Sequence, residues 1–295
     1  MDYVKPAEVL EGIIEAGANK AALGIRQMLI KGFLAGAILA CATTLAFTAT
    51  QQTSLSLVGA LIFPVGFVII ILLGLELVTG SFAMIPLAVL ERKATFRQML
   101  TNFGWVIVGH LLGCALYAVL YGLTITKMGT DLSHPLVQTL ITTSEAKTLG
   151  YKEMGLSGLG LVLIKAVLCN WMVTLGAVMA FTSRSTAGKI IAMWLPILIF
   201  FAQGFEHAVV NMFVIPAGML LGAKVSLADW WVWNQLPVLA GNLLGGMTLT
   251  GLGLYFSLKK KASPATPAGS PVETGEGRGE VRFIPASASR AGEGV

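Results

Sequence analysis

Two apolar stretches, Leu57 to Leu90 and Ile190 to Gly222, each run about 33 residues, whereas a helix crosses a bilayer in about 20. Neither reads as one straight span. The first is interrupted by Gly74-Leu75-Glu76-Leu77-Val78-Thr79-Gly80-Ser81 and the second by Gln203-Gly204-Phe205-Glu206-His207. Unwound backbone and ionisable groups survive at membrane depth only where protein or a water-filled path satisfies them, so the two interruptions are the places to look for a substrate path.

The chain is 55% hydrophobic and 12% charged, which excludes a water-soluble domain of useful size and predicts an all-α integral membrane protein. Hydropathy places six transmembrane helices at Leu29 to Thr48, Leu57 to Leu90 (broken), Phe103 to Ile125, Leu159 to Thr182, Ile190 to Gly222 (broken) and Leu236 to Leu258. Residues 1–258 form a single transmembrane domain on this reading. The stretch Met128 to Gly155 and the segment before the first span read as polar connections, and 259–295, rich in Pro, Gly, Ser and Glu, as a disordered cytoplasmic tail. Asp2, Glu8, Glu11 and Glu15 argue against a signal peptide at the start.

The net charge of +5 is read as orientation and not as a nucleic-acid surface. Lys20, Arg26, Lys31, Arg92, Lys93, Arg97, Arg184, Lys189, Lys259, Lys260 and Lys261 fall on one side. The other side holds Lys127, Lys147, Lys152 and Lys224 beside Asp131, Glu145, Glu153 and Asp229. The positive-inside rule then puts both termini in the cytoplasm of a multi-pass plasma (inner) membrane protein, with Trp230, Trp231 and Trp233 read equally as an outer interfacial belt or as packing against a neighbouring subunit. Cys41, Cys114 and Cys169 lie in apolar runs and read as buried hydrophobes.

Three spans, a long connection and three more spans, with the break in the middle span of each half, predict an inverted 3+3 repeat. Met84-Ile85-Pro86 and Val214-Ile215-Pro216 close the two broken spans about 130 residues apart, in step with that repeat.

Each ionisable residue at depth needs a partner or a cavity. His207, among Phe200, Phe201, Phe205 and Phe213, is suited to donate a hydrogen bond to an anion or pass it a proton, with Asn211 one turn on as a candidate partner. His110, alone in its span, reads as a structural histidine. Glu76 and Glu206 read as supports for the breaks, accepting backbone N–H groups, because a bare carboxylate would repel an anionic cargo. Thr79 either offers its hydroxyl at the start of a half-helix or merely caps it. Lys165 and Lys20 are candidates for drawing anions to the outer and inner mouths, each with an interfacial, snorkelling lysine as the plainer reading. Asn170 and Asn242 are placed to bond the two breaks together.

These motifs, Glu76-Leu77-Val78-Thr79-Gly80, Leu168-Cys169-Asn170-Trp171 and Gly204-Phe205-Glu206-His207 with Asn211-Met212-Phe213-Val214-Ile215-Pro216, resemble the formate/nitrite transporter family over about residues 5 to 258. The resemblance implies an aquaporin-like fold, a homopentamer with one pore per protomer, and passage of small monovalent anions such as formate or nitrite, alone or with protons. It implies no cofactor and no metal. Within it His207 matches the central histidine, Thr79 the threonine of the first break, and Phe63, Phe67, Leu77, Val78 and Phe200 the hydrophobic constrictions. Val78 stands where an aromatic is usual, and the lysine ahead of Leu168-Cys169-Asn170-Trp171 tilts the comparison toward nitrite-type members.

The expected mechanism follows from cost. A bare anion in a dry apolar slit loses several kcal/mol of solvation, so the lysines gather anions, the phenylalanines strip water, and His207 with Thr79 either binds the anion or passes it as the neutral acid. Two competing readings share parts of this pattern. A neutral-solute or bicarbonate channel has the same topology, although the Asn-Pro-Ala of water channels is missing. An intramembrane enzyme would need the metal motif His-x-x-Glu-His, which Gln203 interrupts.

Overall fold

The computed structural model describes residues 2–259, which are helical almost throughout. In chain order the helices are α1 (Pro6–Ala21), α2 (Ile25–Thr53), α3 (Ser56–Ile62), α4 (Pro64–Leu72), α5 (Val78–Leu90), α6 (Phe96–Ile125), α7 (Pro135–Glu153), α8 (Leu156–Met179), α9 (Thr186–Ala202) and α10 (Ala208–Leu220). A last rod follows, built from α11 (Leu227–Trp230), α12 (Leu236–Leu244) and α13 (Gly253–Leu258) with π-helical turns between them. Among the described residues four helical stretches are long and apolar enough to cross a membrane: Ile25–Thr53, Phe96–Ile125, Leu156–Met179 and Leu227–Leu258. Shorter apolar helices make up the two interrupted stretches, and both interruptions are real breaks, after Leu72 and after Ala202. The expected tail lies outside the described residues, apart from Lys259.

Local chemistry fixes many of the ends. Proline opens α1, α4 and α7, where a missing N–H costs nothing. Thr95 and Gln98 form a capping box at α6, and Ser226 with Asp229 another at α11. Glycine sets the long-helix pairs. A Cβ on Gly113 would stand 2.0 Å from the Phe33 carbonyl oxygen, and one on Gly245 2.2 Å from that of Val167, so α6 packs on α2 and the last rod on α8 backbone to backbone.

Two segments depart from the sequence expectation. Met128 to Gly155 is mostly helix α7, whose Leu136, Val137, Leu140, Ser144, Thr148 and Tyr151 are buried. Before the first span, α1 buries Val9, Leu10, Ile13, Ile14, Gly17 and Ala21. Both carry apolar residues at helical spacing but too few for a hydropathy window, because only one face is covered. Trp230 is buried and donates to Gln235 Oε1 at 3.1 Å, so it packs inside and is not part of a surface belt. Cys41 is exposed on α2, unlike Cys114 and Cys169. Beyond the end of α5, hydrogen bonds from Lys259 and Tyr255 hold the Glu91 carboxyl below its usual range.

Candidate functional site: two chain breaks that meet

The breaks have one geometry. Gly74 (φ +61°) and Gly204 (φ +63°) turn the chain through the left-handed region that glycine enters freely. Leu77 and His207 are the extended N-cap residues of α5 and α10, at φ −120°, ψ 112° and φ −108°, ψ 120°. Each half-helix therefore starts inside the protein with its positive dipole end facing the middle.

Each break carries one buried glutamate, and each glutamate is gripped by a lysine. Lys20 Nζ on α1 lies 2.9 Å from Glu76 Oε1, and Ser81 Oγ donates to Oε2 at 3.4 Å. Lys147 Nζ on α7 lies 2.7 Å from Glu206 Oε2, with Tyr151 Oη at 2.7 Å from Oε1 and Asn211 Nδ2 at 2.8 Å from Oε2. Asn102 Nδ2 donates to the Lys20 carbonyl and Asn234 Nδ2 to the Lys147 carbonyl, both at 2.9 Å. The glutamates thus take side-chain donors and not the backbone N–H groups expected of them. Asn211 serves Glu206 and Asn234, not His207. Lys20 is a paired cation, not a free one. Lys147 and Tyr151 were missed in the sequence although their i, i+4 spacing puts them on one face of α7.

The breaks touch at one point. Thr79 Oγ1 and His207 Nε2 are 3.1 Å apart, and both side chains are buried. His207 Nδ1 accepts the Val210 N–H at 3.3 Å, which puts the proton of the neutral ring on Nε2, directed at Thr79. That leaves the threonine hydroxyl hydrogen free to donate elsewhere. Asn170 Nδ2 bridges the carbonyls of Thr79 (3.1 Å) and Asn242 (2.6 Å), while Asn242 reaches the second break through the Glu206 carbonyl (2.9 Å). The two asparagines do tie the breaks together.

Aromatic rings cover this point. Phe200 lies nearly parallel to the His207 imidazole at 5.5 Å between centroids, Phe63 packs edge-on against Phe200 at 5.6 Å, and Phe201 stacks on Phe63 at 4.0 Å. Phe63, Phe67, Leu77, Val78 and Phe200 are all buried. Phe213 turns away and packs on Tyr117. A cavity of about 300 Å³ beside the first break is lined by Lys20, Lys31, Gly74, Leu75 and Glu76. Lys165 is half-buried, with Nζ 6.0 Å from the centre of the Tyr151 ring, and its carbonyl accepts the Glu206 N–H at 3.4 Å. Among the described residues no cluster of three His, Cys, Asp or Glu side chains is placed to hold a metal.

Comparison with known proteins finds relatives over most of the chain. The family model for formate/nitrite transporters matches residues 7–256. An uncharacterized transporter, YrhG of Bacillus subtilis (strain 168), is 35% identical over 88% of this chain and 96% of its own. The formate channel BtFdhC of Bacillus thuringiensis is 30% identical over 89% and 99%, and the formate channel FocA of Escherichia coli (strain K12) 28% over 85% and 93%. Among solved structures, one described as an FNT family ion channel shares the fold at a TM-score of 0.69, with 24% identity over 85% of this chain and 98% of that one. Another, a pentameric formate channel with formate bound, does so at 0.63, with 21% identity over 79% and 97%. The relatives are transporters and channels, not enzymes, and this membrane protein belongs to the formate/nitrite transporter family.

Proposed function

We propose that each protomer passes small monovalent anions, formate or nitrite, along a path whose waist is the Thr79–His207 pair. The observation that carries this reading is the 3.1 Å contact between the two breaks, under a roof of phenylalanines. Donors converge there and carboxylates do not: the His207 N–H points at Thr79, whose hydroxyl is left to meet the cargo, and the N-termini of α5 and α10 supply positive potential. Glu76 and Glu206 are neutralised by Lys20 and Lys147, so they do not repel an anion in transit. Lys165 is the outer attracting charge and Lys31, in the cavity beside the first break, is the inner one, since Lys20 is taken up by Glu76. Phe63, Phe67, Leu77, Val78 and Phe200 act as the dry constrictions. A cargo that sheds its water here crosses either bound by these donors or as the neutral acid, and the second route couples flux to protons.

The architecture of this reading is six spans in an inverted 3+3 repeat. It is supported by the matching pairs at the two breaks: Lys20–Glu76 with Lys147–Glu206, Asn102 with Asn234, and Gly74 with Gly204. The Lys and Arg distribution supports cytoplasmic termini in the plasma membrane. The solved relative described as pentameric supports a homopentamer.

Formate is favoured by the names of two relatives, and nitrite by the lysine preceding Leu168-Cys169-Asn170-Trp171. Flux of formate, nitrite and bicarbonate into proteoliposomes at two external pH values decides. The proposal expects formate and nitrite to enter and their rates to rise as the outside is acidified. Bicarbonate entering faster than either would overturn it.

A further inference from the structure

His110, on α6, stands outside the path just described, yet both its ring nitrogens are engaged and the ring is fully buried. Nε2 accepts the Val78 N–H at 3.1 Å, and Nδ1 lies 2.8 Å from the Gly32 carbonyl oxygen. A carbonyl only accepts, so the ring proton is on Nδ1 and the lone pair on Nε2 is what Val78 receives. Val78 is the first residue of α5, its amide is one of those that no helical carbonyl can reach, and Thr79 follows it.

The second break meets the same need with a different residue. The Ala208 N–H, at the first position of α10, donates to Asn242 Oδ1 at 2.9 Å, while Asn242 Nδ2 donates to the Ala166 carbonyl at 2.8 Å. Gly32 is on α2 and Ala166 on α8. In each case a side chain from one long span takes the first amide of the half-helix and leans on the backbone of another.

We infer that His110 is a positioning residue: by holding the Val78 amide it fixes where α5 begins, and thereby where Thr79 presents its hydroxyl to His207, as Asn242 does for the His207 side. Its effect on flux rests on the proposed path, whereas its hold on the break does not.

Two substitutions separate the two nitrogens. Glutamine carries its carbonyl oxygen about as far from the backbone as Nε2, so His110→Gln keeps an acceptor for Val78; asparagine reaches only as far as Nδ1, so His110→Asn keeps the Gly32 contact alone. Hydrogen–deuterium exchange of the peptide spanning Leu77 to Ser81 reads the bond without any transport. Wild type and His110→Gln are expected to be protected alike, with exchange roughly tenfold faster in His110→Asn. Formate flux per folded protomer is expected to follow, near wild type for Gln and reduced roughly tenfold for Asn. Equal protection in the two variants, or full flux in an unprotected His110→Asn, overturns the inference. If His110→Asn folds poorly, His110→Asn/Val78→Pro removes the orphaned amide at a position that accepts proline, after a Leu77 already extended. The pair is then expected to recover the lost melting temperature, and no recovery also overturns the inference. Protection that splits as expected in a protein carrying neither formate nor nitrite would sink the proposed path and leave the hold of His110 on the break standing.

Discussion

Glu76 and Glu206 show what a residue costs at membrane depth. Each is almost fully buried, and its lysine brings the compensating charge from a helix outside the hydrophobic spans. Removing one member of such a pair leaves an uncompensated charge, which costs about 3–5 kcal/mol. Lys147→Met is therefore expected to lower the melting temperature in detergent sharply, and Lys147→Met/Glu206→Gln to recover most of the loss; equal losses in both would show that the charge is not what matters. That Glu76, Glu206, Asn170 and Asn242 need partners was legible, because burying an ionisable or amide group demands one. The partners themselves were not. Lys147 and Tyr151 lie in α7, where polar residues outnumber apolar ones, and Lys20 looked like a solvated lysine until α1 brought it to Glu76. Which nitrogen of His207 or His110 carries the proton was equally hidden, since it is set by the carbonyl or amide that each ring meets.

At the scale of elements, glycine makes the breaks possible and the long-helix pairs tight. Gly204→Ala meets open space but must hold a positive φ, a strain of about 1–2 kcal/mol, and should loosen the second break without unfolding the chain. Gly113→Ala differs, because its Cβ runs into the Phe33 backbone and must force α2 and α6 apart. A loss of about 3 kcal/mol, the upper end for overpacking, is expected because the neighbour is backbone. Melting curves for the two variants should therefore rank Gly113→Ala below Gly204→Ala, and the reverse order would refute this packing. The broken helices were legible because two stretches were too long and too polar in the middle. Helices α1 and α7 were not, since a helix that covers the protein with one face shows its periodicity and little net hydropathy.

For the whole molecule, the apolar rows left exposed, such as Leu112, Leu116, Val119, Leu120 and Leu123 on α6, need lipid or neighbouring subunits to cover them. The homopentamer proposed above predicts a detergent-corrected mass of five 31.1 kDa chains by light scattering; a stable monomer with full flux would count against it, although not against a path within each protomer. Whether anions take that path is decided by formate and nitrite flux into proteoliposomes containing His207→Phe at several external pH values. Phenylalanine preserves the ring packed against Phe200 and removes the N–H directed at the Thr79 hydroxyl, so flux is expected to collapse together with its rise on acidification. A variant that folds and carries either anion at the wild-type rate, with the wild-type response to pH, would contradict it.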